Sequence, residues 1–383
     1  MANDKIFKVK NGILAQRYLQ SAGAETAGSV GYNLAGAVYD IKSFSVASQE
    51  TTPQKAEFKS DGTKMYVIGS ASDAVHQYSL STAWDVSSAA YDSVSFSVAT
   101  QSAGPVDLVF GLGGTKMYVL NASNDTIYQY TLSTAWDIST ASYDSKTFAV
   151  TSQETLPYGI TFKPDGTTMY AVGTTSDTVF QYTLSTAWDI STASYASKSL
   201  SVGAQATQPR ALTFKSDGTH VLVICPDTDA VYQYNFSTPW DVSTGSYSGV
   251  SFSVTSQLTA PLGLTYGNDG LAVYVVDSNS PQTIYQYSTA SYTQTLDLST
   301  GTYFSFTPSG ATEVSFTNPP AAGLAIGFAV EINGDGSAIT WPASVKWHEA
   351  TAPTATASKE IYTFITTDGG TTYYGKQAAT ELA

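Results

Sequence analysis

Few side chains in this sequence could carry acid–base or nucleophilic chemistry. Histidine occurs only at His76, His220 and His348, and the one cysteine is Cys225. A Ser–His–acid triad needs a histidine in the right company, and a zinc site needs ligands clustered at fixed spacing. Neither pattern is present. The chain repeats itself every 52 residues, and His76 stands where other copies carry Tyr128, Phe180, Tyr232 and Tyr285, so it fills an aromatic slot. His220 takes the place of Lys64 and Lys116, a solvent position. Glycoside hydrolysis would need two carboxylates about 5–10 Å apart. The candidates are Glu50 and Glu154, in corresponding loops of two copies, and Asp107 near the start of a strand.

The elements that must position these groups follow from the repeat. Ser81-Thr82-Ala83-Trp84-Asp85 returns around Trp136 and Trp188, and with Pro239 in place of alanine around Trp240, always 52 residues on. Pro53, Pro105, Pro157, Pro209 and Pro261 keep the same step, as do Tyr39, Tyr91, Tyr143, Tyr195 and Tyr247. Each unit reads as four short strands, rich in β-branched and aromatic residues and bounded by Gly, Asn, Asp and Ser. Turns such as Asp61-Gly62-Thr63 and Asp165-Gly166-Thr167 supply the positive φ of a tight hairpin. Four strands recurring at roughly 40–50 residues mark a β-propeller blade. Inner strands begin near Gln54, Val106, Tyr158, Arg210 and Leu262, which predicts an all-β chain with five blades. The first outer strand, Tyr39 to Val46, precedes every inner strand, so it is expected to complete the last blade and close the ring. That places the propeller at residues 39–288, with each Trp packed against the neighbouring blade.

A binding site in a repeat protein is sought where copies that agree elsewhere disagree. After the shared prolines stand Gln54-Lys55, Val106-Asp107, Tyr158-Gly159, Arg210-Ala211 and Leu262-Gly263. These positions open the innermost strands and rim the central channel. Asymmetric ligand contact through Gln54, Lys55, Asp107, Tyr158 and Arg210 would produce such variation, and so would relaxed packing at a solvated rim. A second ring, Asp73, Asp125, Asp177 and Asp229, recurs just before a strand start and reads as turn-capping rather than metal-binding. Asn333, Asp335 and Ser337 lack the twelfth-position acid of a calcium loop and read as a hairpin turn. No cofactor or metal is expected.

Lys and Arg total 17 against 31 Asp and Glu, a net charge of −14, which argues against nucleic acid and anionic membrane surfaces. One cysteine leaves no internal disulfide, and no apolar run reaches the length of a membrane helix. Residues 1–10 lack a signal-peptide core. Residues 1–38 open on an alternating basic and apolar run, including Phe7, Lys8, Val9 and Lys10. That run is either a docking arm or a ragged terminus. Residues 289–383 show about seven short antiparallel strands, the pattern of a small sandwich.

The repeats, with Phe58-Lys59-Ser60-Asp61-Gly62-Thr63-Lys64-Met65-Tyr66-Val67, resemble propeller repeats of tailed-bacteriophage virion proteins, distantly similar to YVTN-type propellers. Phe7-Lys8-Val9-Lys10-Asn11-Gly12 is similar to the start of phage fibre proteins, and Ile339-Thr340-Trp341-Pro342-Ala343-Ser344-Val345 resembles a C-terminal β domain of such fibres. The resemblance implies a non-enzymatic structural part of the virion, a tail fibre or appendage released by lysis and assembled as a homotrimer. Its partners would be other virion proteins and a host-surface glycan or protein receptor. Residues 1–38 would attach it. The alternative is a five-bladed glycosidase or polysaccharide depolymerase.

Overall fold

The computed structural model describes residues 21–382 except 24, 31, 290, 309–310, 335–338 and 349–350. They form two compact units, one of them spanning Val30–Ser291. In that unit five four-stranded antiparallel sheets follow one another as blades. The first blade runs Pro53–Phe58, Lys64–Gly69, Ala74–Leu80 and Ala89–Ser97. Inner strands start at Pro53, Pro105, Pro157, Ala211 and Pro261. The second strand of each blade is almost wholly buried, whereas the outer strand alternates half-buried and exposed, because only one of its faces meets a neighbour.

The fifth blade is completed from the other end of the unit. Val38–Ser45 pairs antiparallel with Thr283–Ser288, setting Ser45 opposite Thr283 and Tyr39 opposite Tyr287. Closure pairs the Thr283–Ser288 edge and gives the fifth blade the same four strands as the others. The seam begins earlier than residue 39. In blade one the Trp84 N–H donates to Gly62 O at 3.0 Å, and a Cβ on Gly62 (φ +71°) would lie 2.4 Å from the indole. Tyr32, one 52-residue step before Trp84, repeats this in the fifth blade. Its N–H donates to Gly270 O at 2.6 Å, and a Cβ on Gly270 would meet its ring at 2.3 Å. The fifth aromatic wedge is present, and it is a tyrosine.

These wedges lock blade to blade. Trp84 packs on Phe58 of its own blade, and Tyr274 of the fifth blade donates to Trp84 O at 2.7 Å. Tyr118 and Tyr170 make the same bond to Trp188 O and Trp240 O, both at 2.7 Å. The apolar cores lie between blades: Phe58, Val67 and Tyr78 of the first share one cluster with Tyr274, Val276 and Ile284 of the fifth.

The other unit holds, of the described residues, those within 21–29 and 292–382. Tyr303–Phe306, Ile326–Asn333, Lys359–Thr366, Tyr373–Leu382 and Val345–Trp347 lie in a six-stranded sheet with Ser21–Gly23 at one edge. Ser291–Asp297, Ala311–Thr317 and Ile339–Thr340 lie in a second sheet with Glu25–Val30. Phe304, Phe328, Trp341, Tyr362 and Phe364 build its core. Several pairings are parallel, among them Tyr303–Phe306 with Ile326–Asn333 and Val345–Trp347 with Tyr373–Leu382. The expectation of purely antiparallel pairing is therefore corrected. A short run of alternating residues shows which face is buried but not the sense of its neighbour.

Candidate functional site

The five variable positions that open the inner strands converge on the propeller axis. Gln54, Lys55, Val106, Asp107, Tyr158, Arg210, Ala211 and Leu262 line one slot too narrow to admit a water molecule. Lys55 and Asp107 are equivalent positions of adjacent blades, and they are 2% and 1% exposed. They are buried, so the solvated-rim reading fails for this level. The reason is the narrow axis of a five-bladed ring. A Cβ on Gly263 would lie 2.6 Å from Gln54 O, and one on Gly159 would lie 3.0 Å from Ala211 Cα. Side chains fit at this level from two blades, while the other three carry Gly159, Ala211 and Gly263.

A buried charge must be paired and hydrogen-bonded. Lys55 Nζ donates to Leu264 O of the fifth blade at 2.9 Å, and lies 3.7 Å from Asp107 and 3.6 Å from Glu57. Asp107 accepts from its neighbour Leu108 N at 2.8 Å and from Ile160 N of the third blade at 2.6 Å. The pair thus ties four inner strands together. Burial pushes the Asp107 carboxyl up, against the pull of Lys55 and these two N–H groups.

Glu57 sits one pleat further along the same strand, and sequence reasoning passed over it. Val109, Thr161, Thr213 and Thr265 hold its place in the other copies. Its being the one acid among these five equivalent positions was the available signal. Desolvation pushes its carboxyl up to about 7, Lys55 opposes that, and Asp107 adds to it. It therefore titrates near neutrality, the range a general base needs. In the slot's lining, the Arg210 guanidinium lies 3.6 Å over the Tyr158 ring, and its buried Nε finds no acceptor among the described residues. The site combines a cation with a spare donor, a carboxyl poised at neutral pH, and no room in the slot for a water molecule.

The glycosidase carboxylates do something else. Glu154 accepts from Leu156 N, Thr175 N, Ser176 N and Ser176 Oγ, at 2.9, 3.1, 3.1 and 2.6 Å. Glu50 braces its own loop likewise through Thr52 N, Ala71 N, Ser72 N and Ser72 Oγ. Each fills the space left by a glycine, Gly173 or Gly69, across the loop. Copies with Ser102, Ala206 or Leu258 at the acid position carry Asn121, Cys225 or Asp277 opposite, so the two positions vary together. Ser72 Oγ also lies 3.0 Å from His76 Nε2. In a triad the acid holds the imidazole; here Glu50 holds the serine and His76 Nδ1 has no partner among the described residues. Glu154 and Ser176 make the same brace with Phe180 in the histidine's place.

The Asp73 ring takes the left-handed turn that short polar side chains tolerate: φ is +50° at Asp73, +54° at Asp125, +49° at Asp177 and +46° at Asp229. Asp73 Oδ1 accepts from Gly104 N at 2.7 Å. Among the described residues no three His, Cys, Asp or Glu side chains gather as a metal site. Phe7, Lys8, Val9 and Lys10 lie outside the described residues, as do Asp335 and Ser337.

Residues 45–239 match the family described as "Lactonase, 7-bladed beta-propeller", 195 of 383 positions. The matched stretch begins at the ring-closing strand and ends in the fourth blade; the ring closes here with five blades. No curated protein matches the chain. A solved structure from Bacteroides fragilis, assigned as a 6-phosphogluconolactonase, is 18% identical over 53% of this chain and 55% of its own, with a TM-score of 0.38. Pseudomonas aeruginosa periplasmic gluconolactonase is 15% identical over 52% and 53%, TM-score 0.36. A luciferin-regenerating enzyme is 12% identical over 66% and 95%, TM-score 0.41. The chain spans just over half the length of the first two, and likenesses this distant carry no argument about chemistry.

The family match overturns the phage resemblance. With it fall the non-enzymatic reading, the structural role in a virion, the virion location, and the virion and host-receptor partners with their trimer. The part of the resemblance carried by the repeats rested on turn and strand vocabulary, such as Asp-Gly-Thr before an apolar strand, which any propeller uses because its hairpins require it.

Proposed function

Because the chain belongs to the lactonase family of β-propellers, we propose that it is a hydrolase opening a cyclic ester, with its chemistry on the propeller axis. The observation that supports this placement is Glu57, a carboxyl held near pKa 7 by burial, with Lys55 at 3.6 Å, two residues along the strand from the slot that Lys55, Asp107, Arg210 and Tyr158 line. On this reading the propeller of residues 39–288 carries the whole catalytic unit. Gln54, Lys55, Tyr158 and Arg210 form the substrate-facing set, and Asp107 supports Lys55.

Glu57 takes a proton from water as the water oxygen adds to the lactone carbonyl carbon. The spare Arg210 donor and the Lys55 charge stabilise the oxyanion that forms. Collapse breaks the bond between the carbonyl carbon and the ring oxygen. Glu57 returns the proton to that oxygen, leaving the open hydroxy acid. Asp107, with both oxygens committed to backbone N–H groups, positions Lys55. The slot admits no water while Arg210 stacks on Tyr158, so substrate and the attacking water enter together by displacing Arg210 from the ring.

The test is acid release from glucono-1,5-lactone, γ-butyrolactone and dihydrocoumarin in a pH-stat. At least one should open faster with the protein than without it, with a rate that rises through about pH 7. Glu57→Gln should lower kcat about 100-fold or more. No acceleration of any of the three, or full activity in the variant, refutes the assignment.

A further inference from the structure

Apart from the propeller axis, the unit of residues 292–382 carries an open basin of about 580 Å³ on its six-stranded sheet. Strand pairing sets Lys346 beside Tyr374, Tyr374 beside Ile365, and Ile365 beside Gly327. The next row on that face pairs Lys376 with Thr363, and Thr363 with Ala329. His348 is exposed at the rim, its N–H on Gly375 O at 3.0 Å. Tyr374 and Ile365 are 60% and 45% exposed, a large apolar surface for a sheet face. Gly327 leaves the floor open, since a Cβ there would meet nothing nearer than Phe364 O at 3.7 Å.

We propose that this basin binds a small anionic saccharide, one or two rings bearing a carboxylate or phosphate. The volume falls in the range of small-ligand sites, about 300–1,000 Å³. Its floor of Tyr374 and Ile365 suits the flat C–H face of a sugar ring. The basic side chains around it are Lys346, Lys376 and His348, with no carboxylate in the lining. Among the described residues none of these three makes an ion pair within 4.0 Å, whereas ten other lysines do. Glu331, further along the face, is already held by Tyr303 at 2.6 Å, Ser305 at 3.1 Å and Lys359 at 3.3 Å. The ligand must therefore bring negative charge and acceptors. Lysine stems lie along the apolar floor while their ammonium groups reach the anion. A net charge of −14 repels long polyanions, which restricts the site to small ones.

The experiment is calorimetric titration of the full chain with glucuronate, glucose 6-phosphate and glucose. At least one anion should bind tenfold or more tighter than glucose, and which one does identifies the anionic group. Lys346→Gln with Lys376→Gln should weaken that binding at least tenfold at unchanged melting temperature, and Tyr374→Ala should weaken it too. Equal binding of glucose, no binding of either anion at millimolar concentration, or unchanged affinity in the double lysine variant overturns the proposal. Lactone hydrolysis plays no part in the readout.

Discussion

Replacing Glu57 by Gln should make the protein more stable at pH 8 and leave it nearly unchanged at pH 4. In the fold the Glu57 carboxyl titrates at about 7 against an ordinary 4.5. Between those values the folded state holds a proton that the unfolded chain has released. Stability therefore falls as pH rises through this window, by about 1.36 kcal/mol for each pH unit crossed. The window is about 2.5 pH units wide, which corresponds to roughly 3 kcal/mol, an upper bound because the side chain keeps 19% of its exposure and water screens it. Glutamine does not titrate, so subtracting the wild-type stability curve from the variant's isolates this contribution. Urea unfolding of both proteins from pH 4 to 8, followed by blade tryptophan fluorescence, measures it. The difference should be flat below about pH 4.5, climb by about 1–3 kcal/mol, and level off above about 7.5. A difference that is flat throughout, or that falls with pH, refutes the claim that burial dominates at Glu57. Since Glu57 is also the proposed base, the variant should gain stability as it loses turnover, the trade expected where a site stores an unfavourable charge.

Ile41 has φ +58° and is 86% exposed, where equivalent positions carry Ser93, Ser145, Ser197 and Gly249. Ile41→Asn should therefore raise stability by about 1 kcal/mol in urea unfolding. Tyr32→Ala removes the fifth wedge and should cost about 2 kcal/mol, lowering the thermal midpoint and loosening hydrogen-exchange protection of Val38–Ser45 first. Burial raises the Glu154 pKa, but its hydrogen bonds outweigh burial and hold it below the ordinary value. Its stabilisation is thus present above about pH 4.5 and lost as pH falls. Glu154→Gln should cost about 1–3 kcal/mol at pH 7 and less at pH 3, by the same unfolding measurement.

The 52-residue step by itself determined the five blades, their four strands and the closing of the ring by the strand before the first blade. A repeat that keeps its step must place equivalent residues in equivalent contacts, so one packed unit defines all. Tyr32 escaped notice because it breaks the Trp-Asp signature while keeping the position; the step of 52 back from Trp84 was the available signal. The axial residues were legible as a set, since their variation stood out against constant packing positions. What surrounds them was not. Whether Lys55 and Asp107 face solvent depends on how closely five inner strands approach, and that distance belongs to the closed ring. The same holds for the carboxylates. Glu50, Glu154 and Glu57 look alike in a sequence, yet two are held by loop N–H groups and one is left to desolvation. A carboxyl's chemistry is set by the donors and the dielectric around it, and these are fixed only when the loop closes around Glu50 or Glu154 and the inner strands close around Glu57.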